Sequence, residues 1–242
     1  MPVKIAIQQP KYCVFMSLLR YTLIFALFLT ACSTASKPTN DTGSEIGYLA
    51  KSDIDTVADI HLRQIDQYLK ELSYKLYRRN PRYCEGGTPN IEQCVQRLFK
   101  QTSTTSLIGK NAIANIKLSV AKEFTGDRVN RFIIGLWAML RSAYGGKSEF
   151  FFYDELDPQK LYNSARNIEI AVWRLSHYRD DKGKLFLITN GIDSKIVNLS
   201  FERLFGKLIA TQDTLAVIIS ESSRRAIKNV IQRLATAVFL PI

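Results

Sequence analysis

Apolar residues recur along most of this chain at the three- and four-residue intervals of an α-helix. Ala58, Leu62, Ile65, Leu69, Leu72 and Leu76 are separated by 4, 3, 4, 3 and 4 positions, which places them on one face of a single helix. Ser52 or Asp53 can cap its first turn, and the Asn80-Pro81 pair closes it. That stripe suits packing within the domain, and a coiled-coil partner would use the same face. Thr88-Pro89 opens a shorter second helix carrying Ile91, Val95 and Leu98, with proline at the first helical position. A third helix is predicted over residues 110–124, with Ile113, Ile116 and Val120 on one side and Gly126 as its stop.

The next segment, 127–144, is the most apolar. Asp127 caps it, and Val129, Phe132, Ile133, Leu136, Trp137 and Leu140 mark it as the centre of the core. Gly145 and Gly146 supply its C-terminal turn. The short apolar run from Phe150 to Tyr153 reads as a buried strand or an extended plug. Asp157-Pro158 starts a fifth helix with Leu161, Ala165, Ile168, Val172 and Leu175 as its stripe. Residues 180–183 form a turn. Segments 184–189 and 195–199 flank a loop containing Asn190 and Gly191 and read as a small hairpin. Ser200 then caps a final helical region reaching Leu240, broken near residues 221–223. Its first face is Phe201, Leu204, Leu208, Leu215 and Ile218; its second is Ile227, Val230, Ile231, Leu234 and Val238. The fold class expected is mainly α, a single multi-helix bundle-like domain over residues 53–242 with room for one small β-hairpin.

The first fifty residues break this pattern. No Asp or Glu precedes Asp41, whereas Lys4, Lys11 and Arg20 do. Arg20 is followed by an apolar run to Thr30, then Ala31 and Cys32. That is the order of an export signal, and the run is shorter than the ~20 residues a spanning helix needs. Leu29, Thr30, Ala31 and Cys32 resemble a bacterial lipobox. The resemblance implies cleavage before Cys32 and lipid, palmitate among it, on that cysteine. An ordinary secretory signal or an uncleaved anchor would use the same apolar run. Residues 1–31 are thus expected to be a lipoprotein signal peptide, and 32–52 a lipidated Cys32 with a flexible Ser/Thr/Gly-rich tether spanning roughly 25 Å. Translation could equally begin at Met16, which leaves a compact signal with Arg20 as its basic end. Ser33, rather than Asp, behind the lipidated cysteine resembles an outer-membrane sorting signal and implies a domain facing the periplasm.

Charge changes the picture less than its total suggests. The formal net charge of +11 would suit nucleic acid, anionic lipid or an acidic partner. Lys4, Lys11 and Arg20 leave with the signal, however, and export disfavours nucleic acid. The remaining cations gather at Lys75, Arg78, Arg79 and Arg82, interleaved with Tyr74, Tyr77 and Tyr83, and at Arg224, Arg225, Lys228 and Arg233. Each group reads first as a solvated helix face. Meeting in space, they would suit lipid phosphates or an acidic envelope protein.

The chemistry-bearing residues are few. Cys84 and Cys94 form an even pair in an oxidising compartment and read as a disulfide, their spacing far wider than a redox Cys-X-X-Cys. Gly145-Gly146-Lys147-Ser148 imitates the end of a phosphate-binding loop, but Arg141 stands where that loop needs its first Gly. His61 and His177 have no zinc-like spacing. A Ser-His-Asp triad assembled only in space would use one of them. Asp154, Glu155 and Asp157 precede the fifth helix, where carboxylates complement the helix N-terminus. As paired acids they could instead cleave a glycan such as peptidoglycan. No catalytic, metal or cofactor set emerges from these residues.

Four stretches resemble a group of uncharacterised proteobacterial envelope lipoproteins. They are Lys75-Leu76-Tyr77-Arg78-Arg79-Asn80-Pro81-Arg82, residues 143–171, Leu199-Ser200-Phe201-Glu202, and residues 235–242. The resemblance implies an envelope location and carries no activity or ligand. The expectation is a membrane-anchored, non-enzymatic binding or structural component of the cell envelope. An envelope enzyme acting on peptidoglycan or lipid, or a subunit of a secretion or transport assembly, is the alternative.

Overall fold

The computed structural model describes residues 51–84, 90–102, 111–193, 196–224 and 238–242. The expected signal, the expected lipobox with Cys32, most of the expected tether, Thr88-Pro89 and the second apolar face from Ile227 to Leu234 lie outside them. Six α-helices dominate what is described: α1 (Asp53–Arg79), α2 (Ile91–Thr102), α3 (Ala112–Ser119), α4 (Arg128–Ala143), α5 (Pro158–His177) and α6 (Ser200–Ser223). The mainly α fold class expected from the periodicity is what the chain adopts.

α1 starts on a capping box. The Ser52 hydroxyl accepts the Asp55 N–H at 3.3 Å, and the Asp55 carboxylate accepts the Ser52 N–H at 2.8 Å. All six residues of its predicted stripe are buried to 2% exposure or less. α4 is the axis of the core and packs against α1, α2, α3 and α5, while α6 covers α5 and α1. Twelve of the sixteen α4 residues are buried, including Gly135. That glycine permits the α3–α4 contact. A Cβ there would lie 2.8 Å from both the Ala112 carbonyl oxygen and the Ile116 nitrogen, and 2.7 Å from Ile116 Cγ1. Phe132 of α4 meets Phe205 of α6 edge to face, with centroids 6.3 Å apart.

Four sequence expectations need correction. First, α3 ends at Ser119 and not at residue 124, so Gly126 does not stop it. The cause is Arg128, whose buried guanidinium donates to the carbonyls of Ser119, Ala121 and Phe124. It satisfies chain ends that would otherwise need another helical turn. Second, the hairpin forms farther along. β1 (Gly191–Asp193) pairs antiparallel with β2 (Ile196–Asn198), Ile192 opposite Val197, so Gly191 sits in a strand and not in the loop. Segment 184–189 is otherwise engaged. Ile188 exchanges two hydrogen bonds with the Asn80 side chain (2.8 and 2.9 Å), and the Phe186 carbonyl accepts from Arg82 and Tyr83.

Third, Ser200 does not cap α6 with its side chain. Its own N–H donates to Asn198 Oδ1 at 3.0 Å. Fourth, α6 ends at the break expected near residues 221–223, but residues 238–240 beyond it are not helical. It stops at Ser223, with Arg224 in the left-handed region at φ 54°. Residues 238–242 are an extended tail lying on α5. Asn167 exchanges hydrogen bonds with Leu240 in both directions (2.6 and 2.9 Å), and Asn163 donates to the Pro241 carbonyl at 2.9 Å. Val238, expected on a buried apolar face, is 64% exposed.

Candidate functional site

The acidic cluster expected before the fifth helix lies in the connection between α4 and α5, and the connection is built residue by residue. Tyr144 ends α4, and Gly145 and Gly146 follow at φ 66° and 76°. The Gly146 N–H returns to the Arg141 carbonyl at 2.8 Å. Gly145-Gly146-Lys147-Ser148 is therefore a helix C-terminal turn. Phe150 then drops into the core at 1% exposure, its N–H on Asp59 Oδ1 (2.9 Å) and its ring 6.1 Å from that of Tyr144.

The run from Phe150 to Tyr153, expected as a buried strand or an extended plug, is buried only at Phe150, and residues 151–154 form a turn. The Asp154 N–H donates to the Phe151 carbonyl at 2.7 Å, and the Asp154 carboxylate accepts the Phe151 N–H at 3.0 Å. The same carboxylate is paired with Lys147. This closes a tight turn whose tip is Phe152 and Tyr153, 72% and 67% exposed. Phe151 stacks on Tyr153 (5.8 Å, 13°), Phe152 sits edge-on to Tyr153 (5.3 Å, 81°), and the Lys51 ammonium lies 5.2 Å over Phe151. Lys51 is in turn paired with Asp59 and with Glu149. Leu156 is buried again, and Asp157 caps α5 by accepting the Gln159 N–H at 2.9 Å.

These contacts assign the carboxylates. The hydrogen bond from Lys147 holds the Asp154 carboxyl below the ordinary range, assisted by the Phe151 N–H and against a smaller desolvation effect. Asp154 is thus an anion that shapes a turn, and Asp157 is a helix cap. A general acid needs a carboxyl raised toward neutrality, and Asp154 is displaced the other way. Sequence reasoning does not single out Phe152 and Tyr153. A signal exists in the acid placed three residues after Phe151, the spacing of a side-chain-closed turn.

The other candidates also have structural partners. Cys84 and Cys94 are joined as a disulfide linking the end of α1 to α2. Tyr74 bonds Glu92, Tyr77 donates to Asp127 at 2.7 Å, and Tyr83 donates to the Phe186 carbonyl at 3.1 Å. The tyrosines among the first basic group therefore tie α1 and its end to α2, α4 and segment 184–189, and do not form an open stacking surface. Arg82 stacks on Tyr83, and Lys75 faces Glu71 at 3.8 Å. Arg224 caps α6, while Arg225, Lys228 and Arg233 lie outside the described residues.

His177 stacks on Trp173 at 4.4 Å, and its Nδ1 faces the Trp173 carbonyl at 2.8 Å, so that nitrogen carries the proton. It cannot accept one from Ser176, whose hydroxyl donates to the same carbonyl at 2.9 Å. Burial pushes the pKa of His61 down, a hydrogen bond to the Thr211 main chain opposing it. A polar cleft beside the disulfide is lined by Tyr77, Tyr83, Arg97, Gln101, Asp127 and Asn130. Among the described residues no group of three or more His, Cys, Asp and Glu is placed to hold a metal ion, and no helix is long and apolar enough to cross a membrane.

No family model, no curated protein and no solved structure matches this chain. The chemistry of the site therefore rests on its own geometry: a rigid turn that offers two aromatic rings to the surroundings beside the first described residue of the domain.

Proposed function

We propose that this chain is a bacterial envelope lipoprotein, anchored through lipid on Cys32 to the outer membrane and facing the periplasm. Its helical domain serves as a binding or structural component of the envelope and not as an enzyme. The observation that carries the reading is the order Arg20, apolar run, Leu29-Thr30-Ala31-Cys32, followed by a polar tether that ends at the capped start of α1. One acyl chain holds a protein weakly and two or three hold it firmly, at about 0.8 kcal/mol per buried CH₂. The structural roles of Asp154 and Asp157 support the non-enzymatic half, as does the Cys84–Cys94 disulfide the exported half.

Metabolic labelling with an alkyne fatty acid, on wild type and Cys32→Ser, tests it. Labelled wild type, an unlabelled variant, and a larger precursor when signal peptidase II is inhibited are the expected results. Unlabelled wild type with no precursor would sink the proposal.

A further inference from the structure

We propose that the Phe151–Asp154 turn is a membrane-interface contact. In this reading Phe152 and Tyr153 insert at the headgroup level of the bilayer that holds the tether, and fix which face of the domain turns toward the lipid.

Three observations carry this. The first is exposure. Large exposed apolar residues elsewhere among the described residues, such as Leu199, Val217 and Ile188, are scattered, whereas Phe152 and Tyr153 are adjacent and are the two most exposed. Scattered apolar residues are ordinary on a protein surface, but a paired aromatic tip is not. The second is rigidity. Asp154 closes the turn from both sides, Phe150 and Leu156 pin its flanks in the core, and the rings of Phe151, Phe152 and Tyr153 support one another. Little ordering entropy is left to lose on contact, which favours a docking element. The third is position. Lys51, the first described residue, lies over the Phe151 ring and bonds Glu149 at 2.6 Å, so the turn adjoins the start of the described domain.

A flexible tether of about twenty residues would span roughly 25 Å on average, so a weak interfacial affinity would act at high effective concentration. Phenyl and phenol rings prefer this zone, apolar body inward and hydroxyl at the headgroups. Local charge identifies the kind of surface. Lys51 is matched by Asp59 and Glu149, and Lys147 by Asp154. With Glu155 and Asp157 beside the tip, the patch has more carboxylates than cations, so contact follows aromatic partitioning and not attraction to anionic lipid.

The inference rests on the lipid-anchor reading, and the experiment separates the two. The full lipidated chain, wild type or Phe152→Trp, is reconstituted in phosphatidylethanolamine/phosphatidylcholine vesicles with bromines on the upper acyl carbons. Fatty-acid labelling of Cys32 is read on the same samples, and circular dichroism checks the fold. Val217→Trp, on α6 and also exposed, is the positional control. Emission added by the indole at position 152, read as variant minus wild type, is expected to shift to shorter wavelength and to lose most of its intensity to the bromolipid. Added phosphatidylglycerol should strengthen neither effect, and the indole at position 217 should stay quenchable by aqueous iodide.

A labelled chain whose indole at position 152 emits as in water overturns the inference and leaves the anchor standing. A blue-shifted indole there that bromolipid does not quench also overturns it, showing that a protein surface covers the tip. Equal quenching at positions 152 and 217 overturns the orientation. If Cys32 is unlabelled, the anchor reading fails, and bromolipid quenching of the Phe152→Trp chain on added vesicles still decides for or against the turn.

Discussion

Gly135→Ala places two known effects in opposition, and the structure says which wins. In a helix interior, alanine is favoured over glycine by about 1 kcal/mol. Gly135, however, lies where α4 crosses α3. The new Cβ would sit 2.8 Å from the Ala112 carbonyl oxygen and from the Ile116 nitrogen. Both are backbone atoms, so no side-chain rotation removes the contact. α4 cannot recoil, because its other faces are packed against α1, α2 and α5. Relief requires α3 to move by several tenths of an ångström, and overpacking of this kind costs about 1–3 kcal/mol. The net expectation is a loss of about 1 kcal/mol. That lowers the melting temperature by about 2–4 °C for a domain of this size.

Gly206→Ala is the internal control. Gly206 lies in α6 with no atom within 4 Å of its missing Cβ, so only the propensity effect operates. The same chemical change should there raise the melting temperature by about 1–3 °C. Differential scanning calorimetry on both variants of the full chain gives the two signs. Hydrogen exchange should show the damage at Ala112–Ser119, the shorter of the two helices that meet at Gly135. Stabilisation by Gly135→Ala, equal to that by Gly206→Ala, would refute the close approach of α3 and α4.

Three further outcomes follow from single contacts. Paired Cys84→Ser and Cys94→Ser substitution should lower stability by about 3 kcal/mol through loss of a short closed loop, read as a lower urea midpoint. Unchanged midpoints would mean that the link is not formed in the protein. His61 is favoured neutral in the fold, so its contribution is full above the unfolded value of about 6.5 and is lost as pH falls through the lowered folded value. Stability should therefore drop between about pH 7.5 and 5.5 by more in wild type than in His61→Gln, and parallel curves would exclude this role. Asn167→Asp keeps the acceptor for the Leu240 N–H but loses the donor to its carbonyl. The expected cost is about 2–3 kcal/mol with loss of hydrogen-exchange protection at Leu240, and intact protection would contradict the clamp.

What is legible in the sequence is the part set by local periodicity. The α1 stripe and the α4 face are buried at every predicted position, because a 3.6-residue repeat needs no knowledge of the partner helix. Starts and stops are readable where a short-range cap sets them, as at Ser52, Asp127 and Asp157. The Phe151–Asp154 turn is hidden, although Asp154 stands only three residues from the N–H it accepts. Aromatics in succession outweigh one acid in a reading based on hydropathy. The Arg20-to-Cys32 order is also local, and it lies outside the described residues.

What is illegible shares one physical cause: backbone groups satisfied by side chains outside the segment being read. Arg128 ends α3 by taking carbonyls at and beyond its last turn, and nothing in residues 110–124 announces that. Asn80 and Asn167 repeat one device. Each is buried, and each pairs its amide nitrogen and oxygen with the carbonyl and N–H of a single residue, Ile188 in one case and Leu240 in the other. An asparagine amide used this way replaces one rung of a strand ladder. It lets an extended segment lie against a helical body without a neighbouring strand. That explains why apolar runs at 184–189 and 238–240, which pattern alone assigns to a hairpin and to a helix, become neither. The first run ends up with backbone polar groups paired beside buried side chains, Phe186 and Leu187, the condition any non-helical segment must meet to join a helical core.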